Sequence, residues 1–327
     1  MNRISGLQFA ALLLTADLFS LCCCSGGVSL VTLWGILAGT AVQYLAALCF
    51  AVQGGVLKKW TQVFFLAYAV FSGGAFFVSL WRTGSAVYIP YEENHGVWGS
   101  LMTAGLIALV CLYASSTGIK SAARAAVIAA ALSLLCLSVD LASAVFNAEW
   151  GNVTLPADRG LLGEMIRGFG LSGGLGGMYV WLDSVRGDRS RAVTVYFGVK
   201  AAAVAAVFLT VLPVAGGIME LTDFPVITAA QLSQPFEAQR IDSLFLVVFS
   251  VLAVFSVTLQ VMTGAYLLGK LIPRFQRWRS SAVIVMIIAA ALIINDRELL
   301  WVRACAAVAA LLIAPLGAKK SAAVSSG

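Results

Sequence analysis

The amino-acid sequence predicts an all-α integral membrane protein with about ten transmembrane helices. Three observations carry this. Composition is the first: 61% of the 327 residues are hydrophobic and only 11% are charged, against about 25% charged in a soluble domain. Second, the charges leave long gaps. None occurs from Leu18 to Leu57, Trp60 to Trp81, Gly96 to Ile119, or Ser243 to Gly269. Apolar runs of this length read as membrane helices, because backbone groups in hydrocarbon must satisfy one another. Third, Lys and Arg alternate in density between successive connections, as the positive-inside rule requires.

The spans follow in order. The first, 7–24, comes after Arg3 and carries Asp17 midway. The second, 28–53, stops before Lys58 and Lys59. The third, 60–81, is bounded by Trp60 and Trp81, and the fourth, 96–117, opens near Trp98. Such rings favour the membrane interface, and Trp150, Trp278 and Trp301 lie near other span ends. The fifth, 123–147, follows Lys120 and Arg124 and holds Asp140. The sixth, 162–183, is rich in glycine. The seventh, 192–216, carries Lys200 about two turns in. The eighth, 240–269, begins with Arg240 and Asp242; the ninth and tenth are 280–295 and 299–316. Outer loops are expected at 82–95 and 217–239.

With an inside N-terminus, fifteen Lys and Arg fall on the cytoplasmic side and six on the other. Both termini are then cytoplasmic. Ten spans divide into five plus five near the outer loop at 148–161, giving halves 1–150 and 151–318 and a short tail, 319–327. An odd number of helices per half inverts the second half, so the count predicts an inverted repeat.

Composition also excludes classes of function. The +6 net charge sits between apolar spans and serves orientation rather than nucleic-acid binding. Seven cysteines, three of them adjacent (Cys22, Cys23, Cys24), and one histidine, His95, make no zinc-binding pattern. No metal site and no cofactor are expected. The H-E-x-x-H, P-loop and G-x-S-x-G signatures of enzymes are absent, so the chain reads as a non-enzyme. Gly168 to Gly173 match G-x-G-x-x-G inside a membrane span, where no βαβ unit can form. The first apolar run reads as a retained helix rather than a cleaved signal peptide, because Asp17 interrupts it.

Two features point to chemistry. Six glycines lie between Gly168 and Gly177. Glycine weakens a helix and admits unusual backbone angles, so the sixth span is either broken at membrane depth or packed closely through small residues. A break would free backbone groups for a polar ligand. Intramembrane charges are the second feature. Asp17 and Asp140 call for a partner, a cation or a ligand amine. Lys200 either stands in for a bound cation or snorkels to the inner surface. Arg240 and Asp242 cap the eighth span or add structural charge. The expected ligand site joins Thr15, Asp17 and Ser20 of the first span to Gly170, Ser172, Gly173 and Gly174 of the sixth.

Three segments, Ile4 to Gln8, Gly118 to Arg124 and Phe236 to Phe245, resemble the spore-germination permeases, the integral-membrane B subunits of germinant receptors in the amino acid–polyamine–organocation superfamily. Ile4-Ser5-Gly6-Leu7-Gln8 is similar to that family's opening I-S-x-x-Q. Gly118 to Arg124 resembles its G-I-E-x-x-x-R, with Lys120 in place of Glu. Phe236 to Phe245 resembles its F-x-x-x-R-x-[DE]-x-x-F. The first span departs from the family, reading Thr15-Ala16-Asp17-Leu18-Phe19-Ser20 where a G-x-G break is usual. The resemblance implies a LeuT-like inverted repeat with broken first and sixth helices and a small amino-acid-like ligand at mid-membrane. It also implies assembly with a second membrane subunit and a lipoprotein in a spore inner membrane. The other expectation is a cation- or proton-coupled amino acid transporter of the bacterial cytoplasmic membrane with no signalling role.

Overall fold

The computed structural model describes residues 3–23, 28–53, 57–88, 97–145, 148–153, 160–172, 176–216, 224–232 and 242–294, with 309, 310, 313, 314 and 316 of the last span. These residues form α1 (Gly6–Cys22), α2 (Leu30–Val52), α3 (Lys59–Tyr88), α4 (Val97–Ser116) and α5 (Ile119–Val145) in the first half. The second half holds α6 (Leu161–Leu171), α7 (Gly176–Trp181), α8 (Arg189–Ala215), α9 (Pro225–Leu232), α10 (Asp242–Leu271) and α11 (Arg279–Ile293). Five helices among the described residues are long and apolar enough to span: those within Leu30–Val52, Lys59–Arg82, Ile119–Val145, Arg189–Val214 and Val247–Leu271.

Local chemistry sets the helix starts. The Ser5 side chain accepts from the Gln8 backbone and the Gln8 side chain accepts from the Ser5 backbone, closing a capping box at the start of α1. The I-S-x-x-Q opening therefore has a direct physical role. Ser29 and Thr32 make the same arrangement at α2, and Asp188 caps α8 through Ser190 and Arg191.

α1 is mostly apolar, with no wide polar face, and such a helix belongs in the interior. Phe9, Leu12, Leu13, Ala16 and Phe19 are buried. It packs against α5, α8 and α10, while α2 lies on α6 and α8, and α3 on α10 and α11. Large apolar side chains on the outer helices face outward, among them Trp34, Leu45, Ile128 and Leu135. That surface suits lipid.

The α2–α6 contact is unusually close. A Cβ placed on Gly35 would strike the Met165 carbonyl, and one on Gly168 would strike the Thr32 carbonyl. Both glycines are required where the two backbones meet. Beside them the Thr32 hydroxyl donates to Glu164 at 2.8 Å, and Glu164 pairs with Arg167 at 3.5 Å. The half-helix α6 is thus tied to α2 by packing and polar bonds.

Connections at the ends share faces. The Ile4 N–H donates to the Ser184 carbonyl at 3.0 Å and the Arg186 N–H to the Ile4 carbonyl at 2.8 Å. These bonds form a short parallel bridge between Ile4 and Val185, placing the segment before α1 beside the α7–α8 connection. On another face, the Glu149 N–H donates to the Pro213 carbonyl.

Three expectations change. α1 runs unbroken from Gly6 to Cys22, because no glycine interrupts its interior. The segment 217–239 is more than a loop, since Pro225–Leu232 is helical with proline at its first position. α3 continues to Tyr88, past the expected end at 81.

Candidate functional site

The sixth span is two helices. α6 ends at Leu171, Ser172 forms its C-cap, and α7 begins at Gly176. The last carbonyls of a helix have no intrahelical partner and carry the negative end of its dipole. At this helix end the carbonyl of Ser172 accepts from Lys200 Nζ at 2.7 Å. α8 supplies Lys200, whose side chain is 3% exposed.

The same ammonium lies 3.2 Å from Asp17 Oδ1. The other carboxylate oxygen accepts the hydroxyl of Tyr196. Tyr196 precedes Lys200 by one helical turn, so both fall on the face of α8 that meets α1. The ammonium also lies 5.8 Å from the Tyr196 ring and 5.9 Å from the Phe197 ring, within cation–π range. Asp17 and Lys200 are therefore a buried ion pair with hydrogen bonds on both partners. Desolvating two charges is costly unless geometry and further bonds offset it, and here both are present.

α2 positions the other side of the site. Gln43 Nε2 donates to Ser172 Oγ at 2.7 Å, and that hydroxyl donates to the Phe169 carbonyl at 2.7 Å. A Cβ on Gly39 would lie 2.5 Å from Ser172 Oγ. The absent side chain at Gly39 and the amide of Gln43 together hold Ser172 in place.

Asp17, Ser20, Leu21, Ile36, Leu171, Ser172, Lys200 and Val204 line one cavity of about 30 Å³. It has room for roughly two water molecules and is far smaller than an amino acid. The ion pair stands at its wall.

The structure brings together Asp17, Ser20, Ser172 and Lys200 of the expected site residues. Thr15 is fully buried but donates to the Leu12 carbonyl of its own helix and does not line this cavity. Gly170 is buried within α6 and is helical, so the break lies beyond it. Lys200 does not snorkel; its ammonium is held inside by Asp17 and Ser172. Asp140 lies in α5 and Asp242 at the start of α10, with side chains outside the described set, and Gly173, Gly174 and Arg240 lie outside the described residues. Among the described residues no cluster of three or more metal-ligating side chains forms.

Sequence reasoning missed Tyr196, Gln43 and Glu164. Tyr196 was signalled by its spacing of four from Lys200. Gln43 and Glu164 stand among apolar neighbours, where a polar group needs a partner.

Neither a protein-family model nor a curated protein sequence matches the chain. Solved structures do. The crystal structure of MhsT in complex with L-phenylalanine superposes with TM-score 0.60 at 15% identity, covering 97% of this chain and 88% of that one. The structure of Mhp1, a nucleobase-cation-symport-1 family transporter in a closed conformation with bromovinylhydantoin bound, gives TM-score 0.61 at 13% identity. It covers 95% of this chain and 76% of that one. The chain therefore has the LeuT-like fold of an all-α integral membrane protein.

Proposed function

We propose that this chain is a permease-type membrane protein that binds a small amino-acid-like ligand at mid-membrane, between α1 and the α6–α7 junction. The observation that carries this reading is the buried Asp17–Lys200 pair beside the end of α6. Separating the partners leaves two uncompensated charges. A zwitterion offers an amine for Asp17 and a carboxylate for Lys200, and so keeps both charges paired. The cavity of about 30 Å³ is too small for it, so binding opens the pair and widens the site. The similarity to a structure in complex with L-phenylalanine supports the ligand class.

In the finer reading the protein is a germinant-receptor subunit contributing to spore germination. It works with a second membrane subunit and a lipoprotein in a spore inner membrane. The three sequence segments that resemble germination permeases support it. The chain divides into repeats 1–150 and 151–318 with a cytoplasmic tail, 319–327, and both termini are cytoplasmic. Its site is Asp17, Ser20, Ser172 and Lys200, joined by Thr15 of the first span and by Gly170, Gly173 and Gly174 of the sixth. Asp140, Arg240 and Asp242 are structural or coupling charges.

The second reading is a cation- or proton-coupled amino acid transporter of a bacterial cytoplasmic membrane with no signalling role. The similarity to a cation-symport family transporter favours it. Uptake of labelled amino acids into proteoliposomes separates the two. Accumulation against a gradient fits the transporter; binding without flux, with adjacent genes for the receptor's other subunits, fits the sensor. Wild type that neither binds nor moves any amino acid overturns both.

A further inference from the structure

The connection between α10 and α11 is basic and carries no acid. Lys270, Arg274, Arg277 and Arg279 fall within ten residues, and no Asp or Glu occurs from Ser243 to Asn295. Among the described residues none of these four cations pairs with a carboxylate. Two of them are held in place. Lys270 lies in the last turn of α10, its ammonium 4.5 Å from the centre of the Tyr266 ring. Arg279 opens α11 and reaches back over α10, since a Cβ on Gly269 would lie 3.3 Å from its Nη1. Between them the chain makes the tight turn Pro273–Phe275, and Arg274 and Arg277 are exposed. Two apolar side chains stand out beside the charges: Trp278 is 66% exposed and Ile272 43%.

Orienting a pair of helices in a bilayer needs positive charge near the span ends and no particular arrangement of it. Here the arrangement is specific. We infer that the α10–α11 connection binds the phosphate of an anionic phospholipid, in the leaflet on the face that the sequence predicts to be cytoplasmic. Guanidinium groups present forked donors that match phosphate oxygens, and no neighbouring carboxylate along this stretch competes for them. Position selects a lipid over a dissolved anion. The connection directly follows the span within Val247–Leu271, so its cations stand at headgroup level. The Trp278 indole suits the same interface, and Ile272 adds apolar surface where acyl chains begin. A bound phospholipid ties the end of α10 to the start of α11 and stabilises the folded chain. The inference rests on the membrane fold and is independent of the ligand reading.

The test uses phosphatidylglycerol as the probe and zwitterionic phosphatidylcholine as its counterpart. Thermal unfolding of the purified full chain is followed in a non-ionic detergent containing equal amounts of one lipid or the other. Phosphatidylglycerol is expected to raise the melting temperature by about 3 °C over phosphatidylcholine, the size of shift that a ligand well above its Kd gives a chain of this length. Arg274→Gln combined with Arg277→Gln is expected to lose at least half of that rise. Lys120→Gln combined with Arg124→Gln removes the same charge from exposed positions at the start of α5 and is expected to keep it. Each variant is compared with itself in phosphatidylcholine, so a change in its own stability does not enter. Inorganic phosphate in place of phosphatidylglycerol is expected to give no rise. The inference falls if the two lipids act alike, or if the Lys120 and Arg124 pair loses as much as the Arg274 and Arg277 pair. It falls also if inorganic phosphate matches the lipid, because the occupant is then a free anion.

Discussion

Lys200 donates at once to Asp17 of α1 and to the Ser172 carbonyl that closes α6. One ammonium on α8 therefore joins the end of α6, 28 positions earlier, to α1, 183 positions away, at the point where the sixth span is divided. Removing either side chain alone strands the other in the interior, at about 3–5 kcal/mol. Asp17→Ala and Lys200→Ala are each expected to lower stability by that order. The double variant should lose clearly less than the sum, because no charge remains unpaired. Chemical or thermal unfolding in detergent measures the cycle; strict additivity would mean the pair does not interact.

The α2–α6 contact gives a second prediction. Gly35→Ala and Gly168→Ala each force a methyl group against a facing carbonyl, and overpacking of this kind costs about 1–3 kcal/mol. A Cβ added at Gly105 in α4 would meet nothing within 4 Å. Gly105→Ala should be neutral or stabilising by up to about 1 kcal/mol through helix propensity. Melting temperatures of the three variants decide it, and equal effects would remove the close-packing argument.

Ser172 offers a third. Ser172→Ala leaves the buried Gln43 amide without its acceptor, at about 1–3 kcal/mol. Adding Gln43→Leu removes the stranded amide and should recover most of that loss. The single variant should also weaken ligand-induced stabilisation, since the α6 end is less firmly placed. Retained ligand response together with lost stability would confine Ser172 to a packing role.

A fourth prediction concerns orientation. The bridge between Ile4 and Val185 puts the N-terminal segment and the α7–α8 connection on one face. Single cysteines placed at Arg3 and at Gly187 in a background lacking native cysteines should react with an impermeant maleimide only after the inner face is opened. A cysteine at Gly151 should react from outside in intact cells. The opposite pattern would invert the topology.

Much of the fold was legible because the bilayer imposes simple rules. Charge gaps located the spans, and the glycine cluster after Gly168 marked the divided sixth helix. Thr15 to Ser20 contain no glycine, and α1 is accordingly continuous where the family resemblance implied a break. The helix Pro225–Leu232 escaped notice because eight residues outside a span carry too little periodicity to stand apart from a polar loop. The site was legible only by depth. Asp17 and Lys200 each announced a buried charge, but 183 positions separate them, and only the packing of α1 on α8 makes them partners. Gln43 and Tyr196 were harder still, since an uncharged polar residue in an apolar helix signals a need for a partner and not its identity.

The most direct measurement is ligand-dependent thermal stabilisation of the purified protein across a panel of amino acids, for wild type beside Asp17→Asn. A ligand that binds only the folded state raises its melting temperature. At least one amino acid should raise that of the wild type by several degrees, while Asp17→Asn, though folded, shows no rise. If no amino acid stabilises the wild type, or if the same one stabilises both equally, the ligand does not bind at the Asp17–Lys200 pair.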